Sequence, residues 1–168
     1  LAWIPFLISF AVLPLHTFAG ETPVGLWPDG AVPAGAWEIA TLLLLVVAND
    51  TFGYLVGASL GKHPMAPKIS PKKSWEGFAG SIGGATVVGV LAAVFVLDKP
   101  WWVGVALAVG MVAAATAGDL SESMVKRELG IKDMSSILPG HGGVMDRLDS
   151  IVFACPVAFI LYSIFAGA

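Results

Sequence analysis

The sequence predicts an all-α integral membrane protein with about five transmembrane helices. Of its 168 residues, 57% are hydrophobic and only 12% are charged, whereas a soluble domain typically carries about 25% charged residues. The mean hydropathy is +0.83. So little charge cannot cover the surface of a water-soluble protein of this size, which excludes a soluble enzyme and a disordered chain. The net charge of −3 lacks a basic excess, so no nucleic-acid partner is expected.

Five apolar segments have about the 20-residue length that a helix needs to cross a bilayer. We treat residues 1–168 as a single transmembrane domain. Because Leu1 lies in an apolar stretch with no charged n-region before it, we expect a fragment lacking N-terminal spans rather than a signal peptide. The predicted spans are 1–19, 36–60, 77–97, 101–118 and 150–168.

The Lys and Arg residues of the linkers predict the orientation of these spans. The linkers 20–35, 61–76, 98–100 and 119–149 contain 0, 4, 1 and 4 basic residues in turn. Cytoplasmic loops are enriched in Lys and Arg. The linkers 61–76 and 119–149 are therefore predicted to face the cytoplasm, and they contain most of the polar chemistry.

Glycines recur at helical spacing on two of the predicted spans. One series is Gly53, Gly57 and Gly61, and the other is Gly77, Gly80 and either Gly83 or Gly84. Small residues let membrane helices approach closely, so the favoured interpretation is a packing seam inside the bundle. A subunit interface or a close approach to a ligand is the alternative.

The second predicted span contains an ionisable residue, Asp50, preceded by Asn49. A lone carboxylate at this depth needs a cation, a metal, a water-filled cavity or a proton. Asp50 is therefore either a hydrogen-bonded residue of the bundle or the polar wall of a site open to the cytoplasm.

The linker 61–76 ends with two adjacent lysines, Lys72 and Lys73, before a predicted helix. Ser74 is expected to cap that helix and Glu76 to lie in its first turn. Lysines near a helix N-terminus can bind phosphates. The alternative is ordinary topology-setting charge near anionic lipid.

The linker 119–149 mixes four basic with six acidic residues. Carboxylates at the end of one span and the beginning of the next can hold a hard divalent cation. Lys126, Arg127 and Arg147 can neutralise phosphate oxygens, and the glycines around His141 let backbone N–H groups face an anion. Metal, cations and a glycine-rich turn together indicate phosphoryl or nucleotidyl transfer. The sequence has no Walker A, GxGxxG or HExxH motif.

Residues 123–149 closely resemble the signature of the phosphatidate cytidylyltransferases, also called CDP-diacylglycerol synthases. The segments 70–77 (SPKKSWEG) and 49–54 (NDTFGY) resemble two further elements of that family, and the resemblance covers about 36–165. The matching signature residues are Ser123, Lys126, Arg127, Lys132, Asp133, His141, Gly142, Gly143, Asp146, Arg147 and Asp149.

This resemblance implies an enzyme that makes CDP-diacylglycerol and pyrophosphate from CTP and phosphatidate. It implies Mg2+, with K+ as a second ion, and a homodimer. With the orientation that the basic linkers predict, we expect a bacterial-type inner or plasma membrane with the active site facing the cytoplasm. Asp119 and Asp146 match the metal-binding aspartates. The expected catalytic residues are Asp119, Asp146, Lys126, Arg127 and His141. The expected substrate-binding residues are Asp50, Ser70, Lys72, Lys73, Glu76, Ser123, Lys132, Asp133, Gly142, Gly143, Arg147 and Asp149.

His141 is interpreted as a hydrogen-bond donor to phosphate rather than a base, because the lipid phosphate is already ionised. A turn residue satisfied by backbone is the alternative for His141, and His16 and His63 are expected to be structural. The nearest competing function is another CTP-using lipid enzyme, such as a polyprenol kinase or an archaeal CDP-lipid synthase. A transporter or channel lined by Asp50 is a competitor from a different class, but it gives no role to residues 141–149.

Overall fold

The computed structural model describes residues 3–17, 21–22, 32–67, 69–131 and 145–166. These residues form five helices and two short antiparallel hairpins, which confirms the predicted all-α class. The helices are α1 (Trp3–Thr17), α2 (Ala34–Leu60), α3 (Trp75–Phe95), α4 (Trp101–Glu128) and α5 (Met145–Phe165). The strands are β1 (Glu21–Thr22), paired with β2 (Val32–Pro33), and β3 (Pro64–Ala66), paired with β4 (Ser70–Ser74).

Three of the described helices, rather than the five predicted, are long and apolar enough to cross a membrane. They cover Gly35–Leu60, Trp75–Phe95 and Trp101–Glu128. Among the described side chains, α5 contributes a shorter apolar segment, Asp149–Phe165, and α1 has 15 residues. Their length and composition support an integral membrane protein with at least these three membrane-spanning helices.

The helices pack around a core of small and aliphatic side chains. Helix α3 lies between α2 and α4, α4 packs on α5, and α1 contacts α5 and α2. Leu45, Leu107, Met111 and Val152 are fully buried where these helices meet. Alanines fill the narrower gaps, so the helices approach one another closely.

The predicted glycine seam lies between α2 and α3. A Cβ added to Gly77 would lie 2.9 Å from the carbonyl oxygen of Gly53 and 3.2 Å from the Cα of Gly57. Gly84 abuts the Phe52 ring, whereas a Cβ on Gly83 would meet nothing within 4 Å. The packing interpretation is therefore confirmed for Gly53, Gly57 and Gly77, and Gly83 is not part of the seam.

The linker 61–76 folds as the β3–β4 hairpin and leads directly into α3. Ser74 has an extended backbone, and its Oγ accepts a hydrogen bond of 3.1 Å from the Gly77 N–H. The predicted helix cap is thus confirmed. Helix α4 continues beyond the predicted span end at residue 118 to Glu128, so Asp119 and the residues after it are held on a rigid helix.

Candidate active site

A cavity of about 330 Å³ opens between α2, the β3–β4 hairpin, α3 and α4. It brings together three predicted site residues that are far apart in the sequence, namely Asp50, Lys73 and Asp119. We call it the aspartate cavity. Its lining residues are Asn49, Asp50, Gly53, Tyr54, Gly57, Met65, Lys73, Ser74, Gly77, Phe78, Ser81, Ala115, Thr116 and Asp119.

Lys73 and Asp119 form a direct ion pair in the aspartate cavity. The Lys73 Nζ lies 2.5 Å from Asp119 Oδ2, and the two side chains are 24% and 36% exposed. Lys73 is the last residue of β4 before the Ser74 cap, so its backbone is fixed by the hairpin and by the start of α3. Asp119 lies on α4, so the ion pair links β4 to α4 through two residues that are 46 positions apart in the chain.

Asn49 and Asp50 form the α2 wall of this cavity. The Asn49 Nδ2 donates a hydrogen bond of 2.8 Å to Asp50 Oδ1. Asn49 is only 7% exposed, and its Oδ1 is buried with no hydrogen-bond partner among the described residues. The Ser81 hydroxyl donates to the Asn49 backbone carbonyl at 2.7 Å, which holds α3 against this part of α2.

Negative charge is concentrated around the Lys73 ammonium. Asp50, Asp119 and Asp149 lie close enough for their charges to interact, and Lys73 attracts Asp50. Asp149 lies in the first turns of α5, where its Oδ1 accepts a hydrogen bond of 2.6 Å from the Ser150 N–H. Helices α2, α4 and α5 thus each contribute one carboxylate to the same region.

A second cavity, of about 650 Å³, lies beside the hairpin and the end of α4. We call it the arginine cavity. The Arg127 Nε donates a hydrogen bond of 3.2 Å to the Ile69 carbonyl, which joins α4 to the hairpin. Lys126 lies 3.3 Å from Glu122, one helical turn earlier. The lining residues are Ile69, Ser70, Pro71, Ser123, Lys126, Arg127, Gly130 and Ile131.

Strand β4 separates the two cavities. Ser70 and Pro71 at its start line the arginine cavity, whereas Lys73 and Ser74 at its end line the aspartate cavity. One five-residue strand therefore supplies both sites. The sequence predicted the polar residues of this strand but not their division between two cavities.

Glu76 lies in the first turn of α3 and is not among the residues lining either cavity. Its Oε2 accepts hydrogen bonds from the backbone N–H groups of Lys62 (3.1 Å) and His63 (3.2 Å). Its Oε1 lies 2.6 Å from the Nδ1 of His63. Glu76 thus ties the entrance of the hairpin to α3, and substrate binding by Glu76 stays a prediction.

Some predicted residues have side chains outside the described part of the chain. For Lys72, Asp146 and Arg147 only the backbone is described, in β4 and at the start of α5. The others are Lys132, Asp133, His141, Gly142 and Gly143. Conversely, the structure adds cavity residues that the sequence reasoning did not select, namely Asn49, Tyr54, Met65, Ser81 and Thr116. Of these, Asn49 and Tyr54 lie in the segment 49–54 that resembles a family element, and Thr116 is a polar residue one turn before Asp119.

The donor atoms of the aspartate cavity suit a hard cation. Asp119, Asp50 and the unpaired Asn49 Oδ1 offer only oxygen, which Mg2+ and K+ prefer over nitrogen or sulfur ligands. The Lys73 ammonium contacts Asp119 where a cation would bind. Within the described ranges, no three His, Cys, Asp or Glu side chains converge on one point. Asp119 thus offers carboxylate oxygens toward the predicted metal site, and the side chain of the other predicted ligand, Asp146, lies outside the described part of the chain.

Fold and site together define a polytopic membrane protein with a carboxylate-rich, lysine-containing cavity next to an Arg- and Lys-lined one. The profile of the cytidylyltransferase family matches residues 5–165. The chain therefore belongs to the cytidylyltransferase family.

Individual proteins named as cytidylyltransferases match most of this chain. The chain is 45% identical over 163 residues to "Phosphatidate cytidylyltransferase" of Mycobacterium leprae, covering 97% of this chain and 47% of the relative. It is 42% identical over 162 residues to the protein of that name from Mycobacterium bovis, covering 96% and 48%. The Haemophilus influenzae protein is 43% identical over 136 residues, covering 76% and 46%. The chain thus spans about half the length of the curated relatives it matches.

Proposed function

We propose that this chain is the catalytic part of an enzyme that converts CTP and phosphatidate into CDP-diacylglycerol and pyrophosphate. The observation that carries the proposal is the match to proteins named phosphatidate cytidylyltransferase along 96–97% of the chain, at 42–45% identity. The matched stretch includes both cavities. No described contact in either cavity favours the competing function of a transporter or channel.

The reaction joins two polyanions, so positive charge must offset their repulsion. An oxygen of the phosphatidate phosphate attacks the α-phosphorus of CTP, the new P–O bond forms, and the bond between the α-phosphorus and the bridging oxygen breaks. Pyrophosphate leaves with the bonding electrons. Because the attacking phosphate is already ionised, the site needs no strong base. His141 is therefore proposed as a hydrogen-bond donor to phosphate.

The lysines and the arginine of the two cavities would bind the phosphate groups. Lys126 and Arg127 stand side by side in the arginine cavity, where Ser70 and Ser123 add hydroxyl groups. Lys73 stands in the aspartate cavity. The remaining proposed phosphate- and nucleotide-binding residues are Lys72, Lys132, Asp133, Gly142, Gly143 and Arg147.

Asp119 and Asp146 are proposed to hold Mg2+, with K+ as a second ion nearby. When bound, such a cation neutralises phosphate charge and makes pyrophosphate a better leaving group. Asp50 and Asp149 are proposed to add negative charge near this cation, because both interact electrostatically with Asp119.

We further propose five membrane spans, with both cavities facing the cytoplasm of a bacterial-type inner membrane, in a homodimer. The alternation of basic residues between linkers supports this orientation. Helix α5 has 21 residues, a length of about 31 Å at the rise of an α-helix, which suits a bilayer core of about 30 Å. Phosphatidate would then reach the site from the cytoplasmic leaflet and CTP from the cytosol.

The test uses purified full-length protein in detergent with labelled CTP, phosphatidate and Mg2+. We expect labelled CDP-diacylglycerol, and its absence from a folded preparation would overturn the proposed function. Asp119→Asn and Asp146→Asn should each reduce turnover by about 100-fold or more, as the loss of a strong electrostatic contact to the transition state does. Asp98→Asn makes the same chemical change at an exposed position in the α3–α4 loop and should leave turnover unchanged.

A further inference from the structure

The Lys73–Asp119 ion pair raises a question that the proposed function does not answer. The same carboxylate is assigned to a metal, and the same ammonium is assigned to a phosphate, yet the two groups contact each other at 2.5 Å. An ammonium at this distance occupies the position of a cation at Asp119 Oδ2. The ion pair and a bound metal therefore compete for one carboxylate.

We propose that Lys73 is the resident counter-ion of the aspartate cavity, and that a divalent cation displaces it from Asp119. The displaced ammonium then becomes available to bind a phosphate group in the same cavity. This inference rests on the proposed function, because it assigns a metal to Asp119 and a phosphate to Lys73.

The surroundings of Lys73 support a counter-ion role. Asp50, Asp119 and Asp149 interact electrostatically in this region, and unscreened repulsion among three carboxylates would destabilise the packing of α2, α4 and α5. Lys73 offsets that repulsion as long as no metal is bound. Because Lys73 is 24% exposed, its ammonium is partly solvated and can move without leaving an unpaired charge in an apolar core.

The buried amide of Asn49 is the second observation that points to a cation. Its Oδ1 is buried in a side chain that is 93% covered, and it has no hydrogen-bond partner among the described residues. Such an oxygen is destabilising unless a ligand satisfies it. Asn49 lines the aspartate cavity beside Asp50, and the ammonium of Lys73 is engaged by Asp119. A cation in the cavity is therefore a candidate partner for this oxygen.

The geometry of β4 explains how the side chain can move while the site stays intact. The backbone around Lys73 is fixed by pairing with β3, by the Ser74 cap on the Gly77 N–H, and by a 3.0 Å hydrogen bond from the Trp75 N–H to the His63 carbonyl. Only the four-carbon side chain of Lys73 has to change its rotamer. The exchange therefore needs no movement of a helix.

The experiment measures Mn2+ binding to the full-length protein in detergent, without nucleotide or phosphatidate, by the loss of the free Mn2+ signal in electron paramagnetic resonance. Lys73→Met removes the competing ammonium and keeps the apolar stem. We expect its Kd for Mn2+ to fall by roughly two- to fivefold, the range of a partly exposed ion pair. If gel filtration shows that Lys73→Met folds poorly, Lys73→Gln takes its place, and its Kd for Mn2+ should also fall.

Lys126→Met is the matched control, because Lys126 lies in the arginine cavity beside Glu122. Its Kd for Mn2+ should stay unchanged. Asp119→Asn combined with Lys73→Met should remove the gain in affinity. Unchanged or weaker Mn2+ binding in both Lys73 variants, an equal gain in Lys126→Met, or no Mn2+ binding in any protein would each overturn the exchange.

This outcome is separable from the proposed function. If Lys73→Met binds Mn2+ more tightly but the protein makes no CDP-diacylglycerol, the proposed reaction is overturned, whereas the displacement of Lys73 by a divalent cation is supported. CDP-diacylglycerol synthesis with unchanged Mn2+ affinity in Lys73→Met would keep the reaction and overturn the exchange.

Discussion

The close approach of α2 and α3 at Gly77 makes a sharp prediction about the substitution Gly77→Ala. The added Cβ would lie 2.9 Å from the Gly53 carbonyl oxygen and 3.2 Å from the Gly57 Cα. Both are backbone atoms, so the strain cannot be relieved by a side-chain rotation. The two helices have to separate, and they separate at the wall of the aspartate cavity.

The magnitude follows from two opposing effects. Overpacking by one methyl group typically costs about 1–3 kcal/mol. Replacing glycine by alanine inside a helix returns up to about 1 kcal/mol through helix propensity. The substitution Gly83→Ala should show only the gain in helix propensity, because its Cβ would meet nothing within 4 Å. The difference in stability between the two variants should therefore be about 1–3 kcal/mol, with Gly77→Ala the less stable.

The assay combines thermal unfolding in detergent with CDP-diacylglycerol synthesis. Gly89→Ala is a second comparison, because its Cβ would lie 2.6 Å from the Gly104 carbonyl oxygen at the α3–α4 crossing, outside both cavities. We expect Gly89→Ala to lose stability while it keeps its turnover below its unfolding temperature, and Gly77→Ala to lose both. If Gly77→Ala equals Gly83→Ala in stability and in turnover, the close approach at the cavity is refuted.

Two further predictions concern hydrogen bonds around the cavities. Ser81→Ala removes the buried 2.7 Å bond to the Asn49 carbonyl and should lower the free energy of unfolding by about 1 kcal/mol; an unchanged unfolding midpoint would contradict it. Arg127→Lys keeps the charge but loses the Nε bond to the Ile69 carbonyl. Because lysine cannot reproduce the planar guanidinium contact, the KM for CTP should rise while kcat changes less, and steady-state kinetics with equal KM values would speak against this role.

The sequence predicted the chemistry of the site better than its layout. Ser74 was predicted as a helix cap because capping depends on a few neighbouring residues, and the structure confirms it. Asp50, Lys73 and Asp119 were selected from charge and motif, and the structure places all three in one cavity. Their mutual contacts were not predictable, because they depend on how α2, β4 and α4 are rotated and spaced.

The ends of the helices show the limit of counting apolar residues. Within the described residues, α1 covers 15 residues of predicted span 1–19. Helix α5 has 21 residues and begins at Met145, five residues before predicted span 150–168. Conversely, α4 extends to Glu128 because polar residues with good helix propensity continue the helix beyond the apolar stretch.

By itself, the sequence determined that this is a helical membrane protein of the cytidylyltransferase family, because composition and motif are properties of the chain alone. Only the tertiary structure decided that Lys73 binds Asp119, that β4 divides two cavities, and that Gly77 rather than Gly83 lies in the seam. These features depend on which face each helix presents to its neighbours. That orientation is set by packing between segments far apart in the chain, which local sequence patterns do not encode.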